Sequence, residues 1–113
     1  MENYVETVLM NIGFKPCRKG YGQFVCAIML IIQYPHLRKV TAEIYPMVAK
    51  MMNITACSVE RNIRDLINDV WKHGDAKMFK QIFGNYDENY PPYGKDFLFT
   101  IARRLEIEWR GKN

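Results

Sequence analysis

Hydrophobic residues recur along this chain at the three- and four-residue steps of α-helices, and this spacing predicts an all-α fold. Six helices are predicted, at about residues 3–12, 21–33, 46–52, 56–73, 75–83 and 95–109. The second is apolar all round, which is typical of a helix at the centre of a bundle. The last repeats an apolar residue every four positions, and this stripe is expected to be core rather than a dimer face; it comprises Phe97, Ile101, Leu105 and Trp109.

The third and fourth predicted helices, with the turn between them, have the layout of a helix-turn-helix over about residues 45–73. Pro46 suits the first turn of a helix, and Asn53 tolerates the left-handed conformation of a tight turn. Thr55 is a good N-cap for the fourth helix. In this motif the first helix braces the second, which enters the DNA major groove. The layout therefore indicates DNA binding.

Packing positions agree with this motif, although they do not prove it. Val48 and Ala49 place an aliphatic and a small residue where the two helices pack closely. Ile54 and Val59 are predicted to be core positions after the turn, whereas Ile63 follows one place later than usual. Two amphipathic helices in an ordinary helical domain share this layout, so the spacing alone leaves a purely structural role open.

Length and composition indicate one globular domain over residues 1–113, since 49% of the residues are hydrophobic and 25% are charged. The longest apolar run, 24–32, is far below the roughly 20 residues of a membrane span. The N-terminus lacks the layout of a signal peptide. Three widely spaced cysteines favour free thiols in a reducing compartment. A cytoplasmic protein is expected, without a membrane partner.

No arrangement of side chains points to catalysis, a metal, a cofactor or a small-molecule substrate. His36 and His73 are far apart, and the spacing of Cys17 and Cys26 is too wide for a zinc knuckle. Neither a glycine-rich phosphate loop nor a nucleophile–base–acid pattern is present. The sequence predicts a protein that is not an enzyme.

The net charge of +4 favours a polyanionic partner only weakly. Over residues 58–72, in the predicted recognition helix, three basic and three acidic residues cancel. The remaining positive charge forms three pairs, which either flank the DNA groove or are ordinary solvated surface; the second alternative is slightly favoured for each. The pairs are Arg18-Lys19, Arg38-Lys39 and Arg103-Arg104.

Four segments resemble the C-terminal DNA-binding domain of the stage-zero sporulation protein A family of response regulators. They are 44–50 (IYPMVAK), 53–56 (NITA), 59–64 (VERNIR) and 71–74 (WKHG), and the resemblance extends over about residues 4–108. It implies a six-helix domain that binds double-stranded promoter DNA at a GTCGAA-like box. It also implies paired or tandem binding, in which the partner is a homodimer or a neighbouring copy on the DNA, and contact with the sigma subunit of RNA polymerase. The receiver domain usual in this family is absent from these residues, so the chain is either an excised effector domain or a stand-alone one.

Carried over by position, the resemblance assigns Glu60 to a cytosine amino group, and Arg61 and Arg64 mainly to phosphates. Three positions depart from the family. Ser58 replaces an arginine that is a main guanine reader, Asp65 replaces a histidine beside the DNA backbone, and Asn62 replaces an alanine. The residues expected to face DNA are Thr55, Ser58, Glu60, Arg61, Asn62, Arg64 and Asp65.

The departures leave a second hypothesis open, in which the domain is a diverged protein-interaction module. Such a module would dimerise with a related regulator, or bind RNA polymerase, without reading a specific box.

Overall fold

Six α-helices and one π-helical turn make up most of residues 1–112, the part of the chain that the computed structural model describes. The helices are α1 (Glu2–Ile12), α2 (Tyr21–Gln33), α3 (Tyr45–Met52), α4 (Ala56–His73), α5 (Ala76–Phe83) and α6 (Gly94–Lys112). The π-helical turn, Val40–Ile44, runs directly into α3. The predicted all-α fold is confirmed, and the predicted bounds of α2 and α4 agree to the residue.

Helix α2 lies at the centre of the bundle, as its apolar sequence predicts. It contacts α1, α3, α4 and α6. Seven of its residues are buried, namely Tyr21, Phe24, Val25, Ala27, Ile28, Leu30 and Ile31. Burial of one large apolar side chain contributes about 1.5–3 kcal/mol, so this helix holds the other four together.

The C-terminal ends of α1 and α4 meet at two glycines. Gly13 has a φ of 125°, and a Cβ atom on it would lie 2.8 Å from the Cα atom of Gly74. The backbone N–H of Asp75 donates a hydrogen bond of 2.8 Å to the carbonyl of Ile12. Because side chains larger than hydrogen do not fit here, the two helix ends require glycine to come this close.

An aromatic cluster around Trp71 joins the end of α4 to α5, α6 and the loop between them. The Trp71 ring lies 4.8 Å from Phe79 and 4.9 Å from Tyr86, measured between centroids. Its Nε1–H donates to the carbonyl of Asp87 at 2.7 Å, and the Tyr86 hydroxyl donates to the carbonyl of Trp71 at 2.7 Å. These bonds hold the loop after α5 against the end of α4.

The apolar stripe of α6 is core, as predicted, over its first three members. Phe97, Ile101 and Leu105 are buried, and Trp109 is partly buried with its ring 5.3 Å from that of Tyr4. Because Phe97, Ile101 and Leu105 are covered by the rest of the chain, these three residues are not free to form a dimer face.

Candidate nucleic-acid interface

Helix α3 and the turn after it brace α4. Val48 and Ala49 are buried on α3, and Val59 and Ile63 are fully buried on α4. Asn53 adopts the left-handed conformation, with φ 56° and ψ 46°. The helix-turn-helix layout predicted from the spacing is therefore present, with the predicted turn residue in the predicted conformation.

One predicted core position of the motif is wrong. Ile54 is 38% exposed, although the spacing places it in the core. The chain reverses at Asn53, and the Ile54 N–H closes the turn on the carbonyl of Ala49 at 3.0 Å. This backbone bond leaves the Ile54 side chain at the outer edge of the turn, where solvent reaches it.

The first turn of α4 is capped by Thr55, as predicted. Its Oγ1 atom accepts a hydrogen bond from the Ser58 backbone N–H at 3.1 Å, and its hydroxyl donates to the Ser58 Oγ atom at 2.9 Å. Ser58 is half-buried. Its side chain is thus held against its own helix end instead of projecting outwards as a longer residue would.

Four of the candidate residues share one solvent-exposed face of α4: Glu60, Arg61, Arg64 and Asp65. The Arg64 Nη1 atom lies 3.9 Å from the Glu60 Oε1 atom, and both side chains are about half exposed. Within residues 1–112, Arg61 has neither an ion pair nor a side-chain hydrogen bond. An exposed pair at this spacing contributes only about 0.3–0.5 kcal/mol, so both guanidinium groups remain available to a partner.

Asn62 is the one candidate on α4 that the structure turns away from solvent. It is 7% exposed, and its Nδ2 atom donates to the Oε1 atom of Gln23 on α2 at 3.3 Å. Position 62 lies three residues after Val59 and four before Leu66, both buried, so it shares their face. The prediction that Asn62 faces DNA is wrong, and that helical spacing already contained the signal.

A groove of about 490 Å³ lies along one edge of the exposed face of α4, beyond Glu60 and Arg64. Its other walls are residues 91–95 and the π-helical turn. Tyr45 lines the groove, and its burial together with the negative charge of Glu60 raises its pKa to about 12. The neutral phenol is therefore the form present beside α4.

In two of the three basic pairs the arginine side chains are bonded to groups of their own helix or loop. Arg103 and Arg104 bond to Glu106 and Glu108 of their own helix, at 3.1 and 2.6 Å. The Arg38 guanidinium donates to the backbone carbonyls of its own loop, at Pro35 and Leu37. Arg18 differs, because its Nε atom lies 3.4 Å from the Asp69 Oδ2 atom of α4.

Two other kinds of site are absent from the described residues. Residues 1–112 hold no group of three or more His, Cys, Asp or Glu side chains arranged to bind a metal ion. None of the helices in this range has the length and apolar character needed to cross a membrane.

The exposed face of α4 and its brace lie inside a segment that is similar to a known family. Residues 5–105 of the 113 match the family model described as sporulation initiation factor Spo0A C terminal. The matched segment includes all of α2–α5, residues 5–12 of α1 and more than half of α6.

Proposed function

This chain belongs to the family of the sporulation initiation factor Spo0A C-terminal domain, a helical DNA-binding domain that is not an enzyme, and we propose that it reads promoter DNA through α4. The helix enters the major groove of a GTCGAA-like box in the cytoplasm. The observation that supports this proposal is the exposed face of α4, which presents Glu60, Arg61 and Arg64 to solvent. The opposite face of the helix is buried and is braced by α3.

Each charged residue of that face has a role that its chemistry allows. Glu60 accepts a hydrogen bond from a cytosine amino group, because a carboxylate is an acceptor only. Arg61 and Arg64 bind phosphates on either side of the groove and position the helix. Thr55 and the first backbone N–H groups of α4 lie at the positive end of the helix dipole, where a further phosphate is favoured.

The departures at Ser58 and Asp65 weaken the contact. Ser58 is bonded to the helix cap and offers no guanidinium group to a guanine. Asp65 is exposed on the DNA-facing side and repels a neighbouring phosphate. A single domain therefore binds modestly. Paired or tandem copies raise the affinity, because the second binding event becomes intramolecular on the same DNA. The sigma subunit of RNA polymerase is the proposed protein partner on the promoter.

One observation favours the alternative of a protein-interaction module: α4 is neutral over residues 58–72. Selection from randomised duplexes, followed by gel shift at several salt concentrations, separates the two functions. Enrichment of one motif related to GTCGAA supports promoter reading. Weak retention that is lost with salt and enriches no motif supports the interaction module.

A further inference from the structure

The segment between α1 and α2 is a basic surface beside α4. Residues 15–20, here named the basic connector, contain three bases (Lys15, Arg18 and Lys19) and no acid, and all three side chains are exposed. Backbone hydrogen bonds order it: the Arg18 N–H donates to the carbonyl of Lys15 at 3.0 Å, and the Tyr21 N–H donates to the carbonyl of Arg18 at 3.2 Å.

Two contacts hold the basic connector against α4. Gly20 is buried at a φ of 94°, and a Cβ atom on it would lie 2.7 Å from the backbone oxygen of Asn62. Arg18 forms its ion pair with Asp69, two turns further along the same helix. Lys19 is placed between these two anchors, so its position beside the helix is set by the fold.

The anchors lie at one edge of the exposed face of α4. Positions 62, 65 and 69 follow one another at steps of three and four, so Asp65 continues the same edge on the solvent side. Glu60 marks the opposite edge, beside the groove of residues 91–95. The residues proposed to face DNA therefore lie between the protein groove lined by residues 91–95 and the basic connector.

A helix in the major groove has a sugar-phosphate strand on each side. The DNA major groove is about 12 Å wide, and a helix with its side chains has a diameter of about 10–12 Å. Little space therefore remains between the helix and the two strands. An element packed on the edge of that helix consequently meets one of the strands. The basic connector has three bases and this edge of α4 has two acids, Asp65 and Asp69, so the surface that they form together has a net positive charge.

We propose that the basic connector is a second DNA contact, in which Lys15, Arg18 and Lys19 bind the phosphate strand beside α4. This inference rests on the proposed function. The contact supplies, from outside the recognition helix, the positive charge that the neutral helix lacks. Because phosphates carry no base identity, it strengthens binding to every sequence equally.

The test measures DNA affinity against salt for the full chain and two matched double variants. Lys15→Ala/Lys19→Ala removes two charges from the basic connector, and Lys77→Ala/Lys80→Ala removes two exposed charges from α5. Circular dichroism verifies folding, and Arg18 is kept so that its ion pair with Asp69 stays. Fluorescence anisotropy is recorded between 50 and 200 mM salt on a GTCGAA duplex and on a scrambled duplex.

Each phosphate contact contributes about 0.9 to the slope of log affinity against log salt. The slope of the connector variant is expected to be smaller than the wild-type slope by about 1.8. Between 50 and 200 mM salt, the factor by which affinity falls should therefore be about 12 times smaller for the variant than for the wild type. The ratio of the affinities for the two duplexes should be unchanged. The α5 variant should retain the wild-type slope. A wild-type slope in the connector variant, or an equal loss in both variants, overturns the contact. If the wild-type chain itself does not bind DNA, the proposed function fails as well.

Discussion

Restoring arginine at position 58 tests how this chain differs from the family it belongs to. In the structure, Ser58 is tied to the helix cap through two bonds to Thr55, one from its backbone N–H and one to its hydroxyl. Ser58→Arg retains the backbone bond and loses only the hydroxyl bond. The new side chain is long enough to leave the cap and extend towards the exposed face of α4.

The stability cost is small compared with the expected gain in specificity. An exposed hydroxyl bond contributes about 0.5–1.5 kcal/mol, and a cation in the first turn of a helix costs about 0.3–1 kcal/mol. A bidentate arginine–guanine contact adds about 1–3 kcal/mol of discrimination. We therefore expect a folded variant that prefers the intact box by a further factor of roughly 5 to 150.

The assay is fluorescence anisotropy on a GTCGAA duplex and on duplexes in which each guanine is replaced in turn. Ser58→Ala is the matched control, because it loses the same hydroxyl without gaining a guanidinium group. The preference for the intact box should rise in Ser58→Arg alone. If the two folded variants discriminate equally, position 58 of α4 does not reach a base and the proposed docking of the helix is refuted.

Three further predictions concern the surroundings of α4. Gly20→Ala should lower the free energy of unfolding in urea by several kcal/mol, because it adds a clash with the Asn62 backbone to its positive φ. Gly84→Ala, with a φ of 82° and nothing within 4 Å of the added Cβ atom, adds backbone strain alone and should cost less, about 1–3 kcal/mol. Asn62→Ala should leave DNA affinity unchanged, since this side chain faces α2. Gln23→Ala should lower the free energy of unfolding by about 1–3 kcal/mol, because it leaves the buried amide of Asn62 unpaired. A loss of DNA affinity in an Asn62→Ala variant with a normal melting temperature would contradict the expectation for Asn62. The pKa of Tyr45 is raised from 10 to about 12, so its contribution to stability is complete below pH 10 and is lost as the pH rises through 12. Phenylalanine does not titrate, and the melting temperature of Tyr45→Phe should therefore fall less between pH 10 and 12 than that of the wild type. Equal falls in the two proteins would contradict this.

Local signals account for the features that the sequence predicts well. The 3.6-residue period of α4 identifies its buried face, and Thr55 and Gly74 mark its two ends. Asn53 predicts the left-handed turn, because few other residues tolerate that conformation. The α2 and α4 bounds follow from such signals alone, and so does the arrangement of the helix-turn-helix.

Features that depend on how distant segments meet could not be predicted in this way. Asn62 is polar and lies in a charged stretch, so composition suggests the surface, yet α2 brings Gln23 to its amide and buries it. Nothing in the order of residues places Arg18 beside Asp69, because the two are 51 positions apart. The basic connector therefore emerges only from the fold.

The central claim, that α4 binds DNA through its exposed face, is tested most directly by removing two charges from that face. Arg61→Ala/Arg64→Ala is compared with Arg103→Ala/Arg110→Ala, which removes the same charge from α6, where both arginines pair with Glu106. On a GTCGAA duplex, the α4 variant should lose about 1.8 of the salt slope and most of its affinity at 0.1 M salt, whereas the α6 variant should bind like the wild type. Unchanged affinity and slope in a folded Arg61→Ala/Arg64→Ala variant would contradict the account.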